Sequence, residues 1–501
     1  MWYAIGEVSV TSVSKFFHYL NYALIAISFG VFAIGYLSGN FNVILCGVLC
    51  MFVSNMIYSF LNWKSHIIFL ILHGTLFTFL LSRPTISMFR GNEWWYFDVD
   101  AVCFALNALM LTLVFMRIGA AVAIEYINRG ASLPTIVSEV RDDRESFIYT
   151  LRIISLIFFF ATMAVYLLCE LEELIFMQGR EYEEFYISFK SQLPSYVHTI
   201  ASMMKYALCI FLATVPPKRM AFIPLAFYVI SALPSLIIGV RNGIVLNSLF
   251  VLLYYLIRDI LGDRQKWIGK IERWAIVLII PIALLFLSAY NYLRQGEAVS
   301  MGVWESVVDL FYKQGVSFDV LCMGYEAIPD LPDIVPKNYT FGGIIDYLTH
   351  GNIAQSLFGA IDIGSQNSEI LAVYGNSFAH SMSYVAHPQY LEGHGWGSSY
   401  LLETFADWGY IGIIIFSLIL GSITVIMISA FRKGTLLRTV IMVSLTSFFF
   451  IPRAEATGWI SFLFTMQFWL AVCFCYFCAT VLADKKISRS NLYITNEKEL
   501  V

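Results

Sequence analysis

The chain has 501 residues, of which 59% are hydrophobic and only 13% charged, against about 25% charged in an ordinary soluble protein. Mean hydropathy is +0.72. This balance excludes a disordered chain, a collagen-like repeat and a disulfide scaffold; the net charge of -4 decides nothing, since in a membrane protein the distribution of charge matters, and no nucleic-acid partner is expected.

A helix that crosses the hydrocarbon layer needs about 20 mostly apolar residues. Twelve stretches meet that need: 19–38, 41–62, 65–82, 99–120, 150–170, 197–215, 220–240, 243–260, 274–292, 408–430, 436–452 and 459–481. The first follows a weakly charged start without a small-residue cleavage site, so it reads as a retained anchor. No strand-like alternation is present, and the expected fold is an all-α polytopic membrane protein. Eight of the nine cysteines lie in apolar runs. Cys473, Cys475 and Cys478 have a ligand-like spacing, but their apolar setting reads as packed or lipid-facing thiol.

Lys and Arg orient such a chain, because they are retained on the cytoplasmic side. With the N-terminus inside, twenty-one of the 31 basic residues fall on the cytoplasmic side, nine fall outside, and Lys205 lies within a span. Both termini are then cytoplasmic. The expected organisation is nine spans over 1–292, a large outer loop over 293–407, three spans over 408–481 and a cytoplasmic tail over 482–501.

A loop that long is usually a functional element. Val303, Trp304, Val307, Val308 and Phe311 recur at helical spacing, which predicts an amphipathic helix within 301–327. Farther on, the segment is rich in Gly, Ser, Tyr and His, and it holds His350, His380, His387 and His394, four of the chain's eight histidines. Such composition suits the recognition of hydroxyl groups.

Arginines on the outer side depart from the charge rule. Arg241 opens the eighth span, Arg294 closes the ninth and Arg453 closes the eleventh; Arg83 and Arg90 flank a short loop. A guanidinium at that depth can pair with a neighbouring acid such as Glu297 or Glu455, or snorkel. Its planar fork also fits phosphate oxygens, and a lipid-linked diphosphate lies at the same depth. For Arg241, Arg294 and Arg453 together, the diphosphate-binding reading is preferred.

The element GVRNG at 239–243 and the run GHGWGSSYLLETFADWGYIGIIIF at 393–416, together with twelve spans and one late large loop, resemble the O-antigen polysaccharide polymerases of the Wzy family and, more distantly, the O-antigen ligases. Ligase-like relatives place a His-Asn pair before the Tyr-Leu step; here Gly397, Ser398 and Ser399 stand there, and His394 is the nearest histidine. The resemblance implies a glycosyltransferase architecture of the GT-C type in the bacterial cytoplasmic (inner) membrane, with its active site on the outer face. It implies undecaprenyl-diphosphate-linked glycans as donor and acceptor: the growing glycan moves from its lipid to the non-reducing end of a lipid-linked repeat unit. A chain-length regulator and a flippase are the implied protein partners. An O-antigen ligase and a non-enzymatic flippase remain the alternatives. No internal repeat relates the two halves of the chain, as a flippase often shows.

Glycosyl transfer from a diphosphate needs cations for the leaving group and a base for the acceptor hydroxyl. Asp98-Val99-Asp100 matches a metal-binding tripeptide, but Trp94, Trp95, Tyr96 and Phe97 beside it read as an interfacial aromatic belt. Arginine in place of a metal fits the resemblance, so no metal or cofactor is expected. The candidate bases are His380, His387, His394 and Glu403, with His394 first, for its flanking glycines, and Glu403 next. His380, His387, Tyr390 and Tyr400 are the candidate sugar-binding residues.

Overall fold

The computed structural model describes residues 2–130, 142–180, 185, 188–262, 265–294 and 302–498. Among them the chain is helical and forms no strand. Twelve helices are long and apolar enough to cross a membrane. This follows from the solvent: without water, backbone N–H and C=O groups must be satisfied within the segment, which an α-helix achieves.

The twelve expected spans are all present, but several ends differ. The tenth starts at Tyr400 rather than 408 and runs to Ala430, with Gly409 (φ 61°) as a non-helical joint inside it. The eleventh is helical over Thr435–Leu445 and continues as a 3-10 turn over Phe448–Arg453. The twelfth starts at Met466, because the preceding Ser461–Phe464 forms a separate 3-10 turn. The 301–327 stretch is two helices, Val303–Gln314 and Ser317–Ala327, rather than one.

The chain divides into two compact units. The first comprises Met1–Gly130, Lys270–Ser429 and Phe448–Gly458. Within it, small residues let backbones approach, as is usual where lipid supplies no hydrophobic drive for helix association. A Cβ on Gly119 would stand 2.0 Å from the Leu418 carbonyl oxygen, and one on Gly421 would stand 1.9 Å from that of Met116. The Ser422 hydroxyl donates to the Gly119 carbonyl at 3.0 Å across the same seam. The helices Val99–Gly130 and Tyr400–Ala430 are therefore locked at near-backbone contact. Between residues 302 and 399 the unit carries the two helices already named and four shorter ones: Gly342–His350, Asn352–Phe358, Glu369–Tyr374 and Phe378–Ala386. Val303–Gln314 is amphipathic as expected: Val303 and Trp304 are exposed, whereas Leu310 is buried. It is tied to the Lys270–Arg294 helix by the Ser288 hydroxyl, which donates to the Ser306 carbonyl at 2.7 Å.

The second unit comprises Ala131–Gly269, Ala430–Ser447 and Trp459–Val501. Its centre is the Ser195–Ala213 helix, buried without interruption from Tyr206 to Ala213. Asp142–Met177, Thr435–Leu445 and Met466–Lys498 pack around that helix.

Candidate active site

The site residues expected from sequence fall in both units. His380, His387, Tyr390, His394, Tyr400, Glu403, Arg294 and Arg453 belong to the first unit, and Arg241 to the second. Arg294 ends the Lys270–Arg294 helix, and its side chain lies outside the described residues. Arg241 caps the start of the Asn242–Ile260 helix, just after Gly239, whose φ of 113° only glycine adopts readily.

Tyr390 is the hub of the histidine-rich loop. It is buried, and its hydroxyl donates to the Ser368 carbonyl at 3.3 Å. His380 Nδ1 shares a 3.0 Å hydrogen bond with the same hydroxyl. Asn367 Nδ2 donates to the carbonyls of Tyr390 (2.8 Å) and His394 (2.7 Å), which fixes the turn carrying His394. The His387 and His394 rings stack with centroids 5.9 Å apart, and Trp396 meets His387 edge-on at 4.9 Å. Both imidazoles are half-buried. The Trp396 backbone N–H donates to the Ser383 hydroxyl at 2.8 Å. Burial holds the His380 imidazole below its ordinary value, against the opposing pull of Asp346, so it stays neutral near pH 7. Tyr400 is buried in the helix seam, with its hydroxyl donating to Thr112 Oγ1 at 3.3 Å.

Two segments distant in sequence meet just below this loop. Glu403 is fully buried, and its Oε2 accepts the Ala456 backbone N–H at 2.7 Å. Its Oε1 and the Ser398 hydroxyl are both buried, and the Ser398 side chain is a hydrogen-bonding neighbour of the Glu403 carboxyl. The Thr457 hydroxyl donates to the Thr340 carbonyl at 2.8 Å, and Asp407 accepts the backbone N–H groups of Tyr339 and Thr340 at 3.0 and 2.8 Å. The 394–403 run and the 453–458 turn are thereby held together. A Cβ on Gly397 would lie 3.9 Å from the Arg453 carbonyl oxygen.

Arg453 is half-buried. Its Nη1 donates to Gln314 Oε1 at 3.1 Å, and its guanidinium carbon lies 5.8 Å from the centroid of Phe79. Among the described residues it has no carboxylate partner, so the pairing with Glu455 considered from sequence does not form. Glu455 instead faces Gly343, where a Cβ would come within 2.9 Å of its Oε2. Burial, and then the nearby Asp346, push its carboxyl above the ordinary range. Arg83 does find an acid: its Nε lies 3.1 Å from Asp319 Oδ2, and it lies over the Tyr312 ring at 4.8 Å. Burial raises the Asp319 carboxyl, whereas Arg83 and the Tyr96 hydroxyl, which donates to it at 2.8 Å, pull it back. Gln314 and Tyr312 close the Val303–Gln314 helix, so that helix end separates one paired arginine from one that retains free donors.

The structure adds a carboxyl that sequence reading treated only as an ion-pair partner, Glu455. Its signal was present: an acid two residues from an arginine expected on the outer side, in a turn bounded by Pro452 and Gly458. Among the described residues no group of three His, Cys, Asp or Glu side chains is placed to hold a metal ion. Asp98 and Asp100 are exposed, and the Asp98 backbone N–H donates to Glu326 Oε1 at 3.0 Å.

No curated protein and no solved structure gives a significant match to the chain. A family model described as O-antigen polysaccharide polymerase Wzy matches residues 19–486, nearly the whole length. With that match and twelve helices fit to span a bilayer, the chain belongs to the O-antigen polysaccharide polymerase Wzy family: multi-pass membrane glycosyltransferase-type polymerases that act on lipid-linked repeat units.

Proposed function

We propose that the protein moves the growing glycan from undecaprenyl diphosphate to the non-reducing end of a lipid-linked repeat unit, on the outer face of the cytoplasmic membrane and without a metal. The observation that carries the reading is the Glu403–Ala456 hydrogen bond, which holds the glycine-rich 394–403 run against the turn bearing Arg453. An acceptor hydroxyl oxygen attacks the anomeric carbon of the donor's reducing-end sugar. The bond from that carbon to the diphosphate oxygen breaks, and its electron pair leaves on the diphosphate. Arg453 receives that charge through the guanidinium N–H groups that Gln314 does not use. His394 takes the hydroxyl proton on its imidazole. Glu403, with no exposed surface, positions the two segments. Arg241 and Arg294 join the diphosphate-binding set on the strength of the sequence alone, and His380, His387 and Tyr390 shape the sugar-binding wall.

Purified protein supplied only with lipid-linked repeat units tests this. Chains longer than one repeat should appear on the lipid, with one undecaprenyl diphosphate released per bond formed, and chelator should leave the rate unchanged. Transfer to a lipid A acceptor without chain growth would establish a ligase, and chelator-abolished growth would overturn the metal-free reading.

A further inference from the structure

A second convergence of guanidinium groups lies in the other unit, at the end of the Ser195–Ala213 helix, and the proposed chemistry does not use it. Arg152 Nε and Nη2 donate to Thr214 Oγ1 and the Thr214 carbonyl at 3.1 and 2.8 Å. Arg258 Nη1 donates to the Pro216 carbonyl at 3.0 Å, and Arg438 Nη1 to the Ala213 carbonyl at 3.1 Å. Cations are favoured at the negative end of a helix, whose last carbonyls lack internal partners. Capping accounts for how these side chains are held. It does not account for the space beside them.

A cavity of about 390 Å³ opens there, with Arg258, Arg432 and Arg438 in its wall. Phe431, Val215 and the turn at Leu261 and Gly262 complete the lining, which among the described residues contains no carboxylate. Val215 has φ 56°, and among the described residues it is the one non-glycine residue with positive φ. A β-branched side chain is a genuine outlier there, and the following Pro216 favours extended backbone instead. Such strain persists only where the surroundings impose it, and it clusters at ligand clamps. Backbone strain, cationic wall and volume therefore coincide at one place, and the volume is that of a small-ligand site.

We propose that this cavity binds the phosphate group of an anionic membrane lipid. Leu436 and Leu437 are exposed at the start of the Thr435–Leu445 helix, between Arg432 and Arg438, which gives acyl chains an apolar surface beside the phosphate. The connecting segments that build the cavity carry part of the chain's basic excess, which orients toward an anionic leaflet. The inference stands apart from the chemistry proposed for the first unit.

The test uses the purified full chain in neutral detergent, with binding followed by native mass spectrometry and by the shift in melting temperature. The probes are short-chain phosphatidylglycerol, short-chain phosphatidylcholine and inorganic phosphate. Phosphatidylglycerol should saturate one site, raise the melting temperature and be displaced by inorganic phosphate. Arg432 is exposed, so Arg432→Glu should keep the fold while weakening phosphatidylglycerol by about tenfold, the value of one lost charge-assisted contact. Arg438→Lys keeps the charge but loses the fork and should weaken binding several-fold. Equal affinity for the two lipids, or wild-type affinity in Arg432→Glu, overturns the proposal. Saturable phosphate binding without phosphatidylglycerol binding overturns it too, because the ligand is then a free anion.

Discussion

Two regions of this protein gather arginines, and they use them differently. In the second unit, Arg152, Arg258 and Arg438 spend donors on backbone carbonyls at a helix end. In the first, Arg453 meets a single side-chain amide and an aromatic ring. A guanidinium carries five donors. One that satisfies carbonyls is part of the fold, and its loss leaves buried acceptors bare. One that faces an amide retains donors for a ligand, and its loss removes chemistry without removing structure. Arginine count and depth are therefore poor guides to function; the identity of the acceptors is the better one.

The largest expected effect is on the proton-transfer side of the first region. His394→Ala should lower turnover by about 10²–10⁴-fold, the usual contribution of a positioned base. Protein level and donor binding should be unchanged, because the His394 side chain contributes ring stacking, and its backbone hydrogen bonds to Asn367 and Gln389 survive the substitution. Single-turnover rates with saturating lipid-linked repeats measure this; wild-type turnover in the variant would take the base role from His394.

Next come the arginines, where the contrast between regions can be broken directly. Arg453→Ala should slow polymerisation by about 10²–10³-fold, the scale for one lost donor at developing negative charge. Arg453→Lys should also impair it, since a point charge lacks the fork. Arg258→Gln should instead cost about 1–3 kcal/mol through unsatisfied carbonyl groups and show as less folded protein, with normal turnover per molecule. Quantifying chain length against membrane protein level separates the two. The comparison collapses if Arg258→Gln lowers turnover at normal abundance while Arg453→Ala lowers abundance alone.

Glu403 sharpens the same contrast between positioning and chemistry. Glu403→Gln keeps an oxygen able to accept the Ala456 N–H and removes the carboxylate. Activity should fall by no more than about threefold, because a neutral acceptor loses only part of a hydrogen bond's net value. Glu403→Ala should release the 453–458 turn, and limited proteolysis there should accelerate. An inactive but well-folded Glu403→Gln would move the base assignment to Glu403.

Much of the architecture was legible in sequence, because a spanning helix is announced by about 20 apolar residues in a row. What escaped were polar residues that the fold buries. The tenth span begins eight residues before its apolar run does, because Glu403 and Thr404 are buried rather than solvated. The stretch before Met466 is apolar enough to read as helix, yet it turns in 3-10 geometry with Trp459 and Phe462 packed inward. The split of 301–327 falls at Gly315, where a Cβ would come within 2.5 Å of the Arg83 backbone nitrogen. Close approach of another element, not local propensity, sets that break. The glycine-rich run at 393–403 drew attention by composition. Its pairing with 453–458 did not, since a single hydrogen bond between segments some fifty residues apart leaves no periodic trace. Glu455 stayed in the background for the same reason: its neighbours Gly343 and Asp346 come from another helix.

The smallest expected effect tests whether the histidine loop is scaffold or reactant. His380 is held neutral by burial, with its folded value below the 6.5 of an ordinary imidazole. An unfolded loop therefore binds a proton more readily than the folded one. The stabilisation is fully present above 6.5 and is lost as pH falls from there toward the folded value. The protonated ring must also keep its bond to the Tyr390 hydroxyl inside a buried cluster, at a desolvation cost that Asp346 only partly offsets. Amide hydrogen exchange across 367–394, corrected for intrinsic rates, should show protection falling as pH drops from 7 to 5. In His380→Gln, which cannot be protonated, that pH dependence should vanish while turnover at pH 7 changes by less than at Arg453. Protection that is flat with pH in the wild type would remove His380 from the loop's scaffold. A His380→Gln variant with turnover as low as His394→Ala would instead place the buried histidine among the reacting groups, and the division between a positioning loop and a reacting junction would have to be redrawn around it.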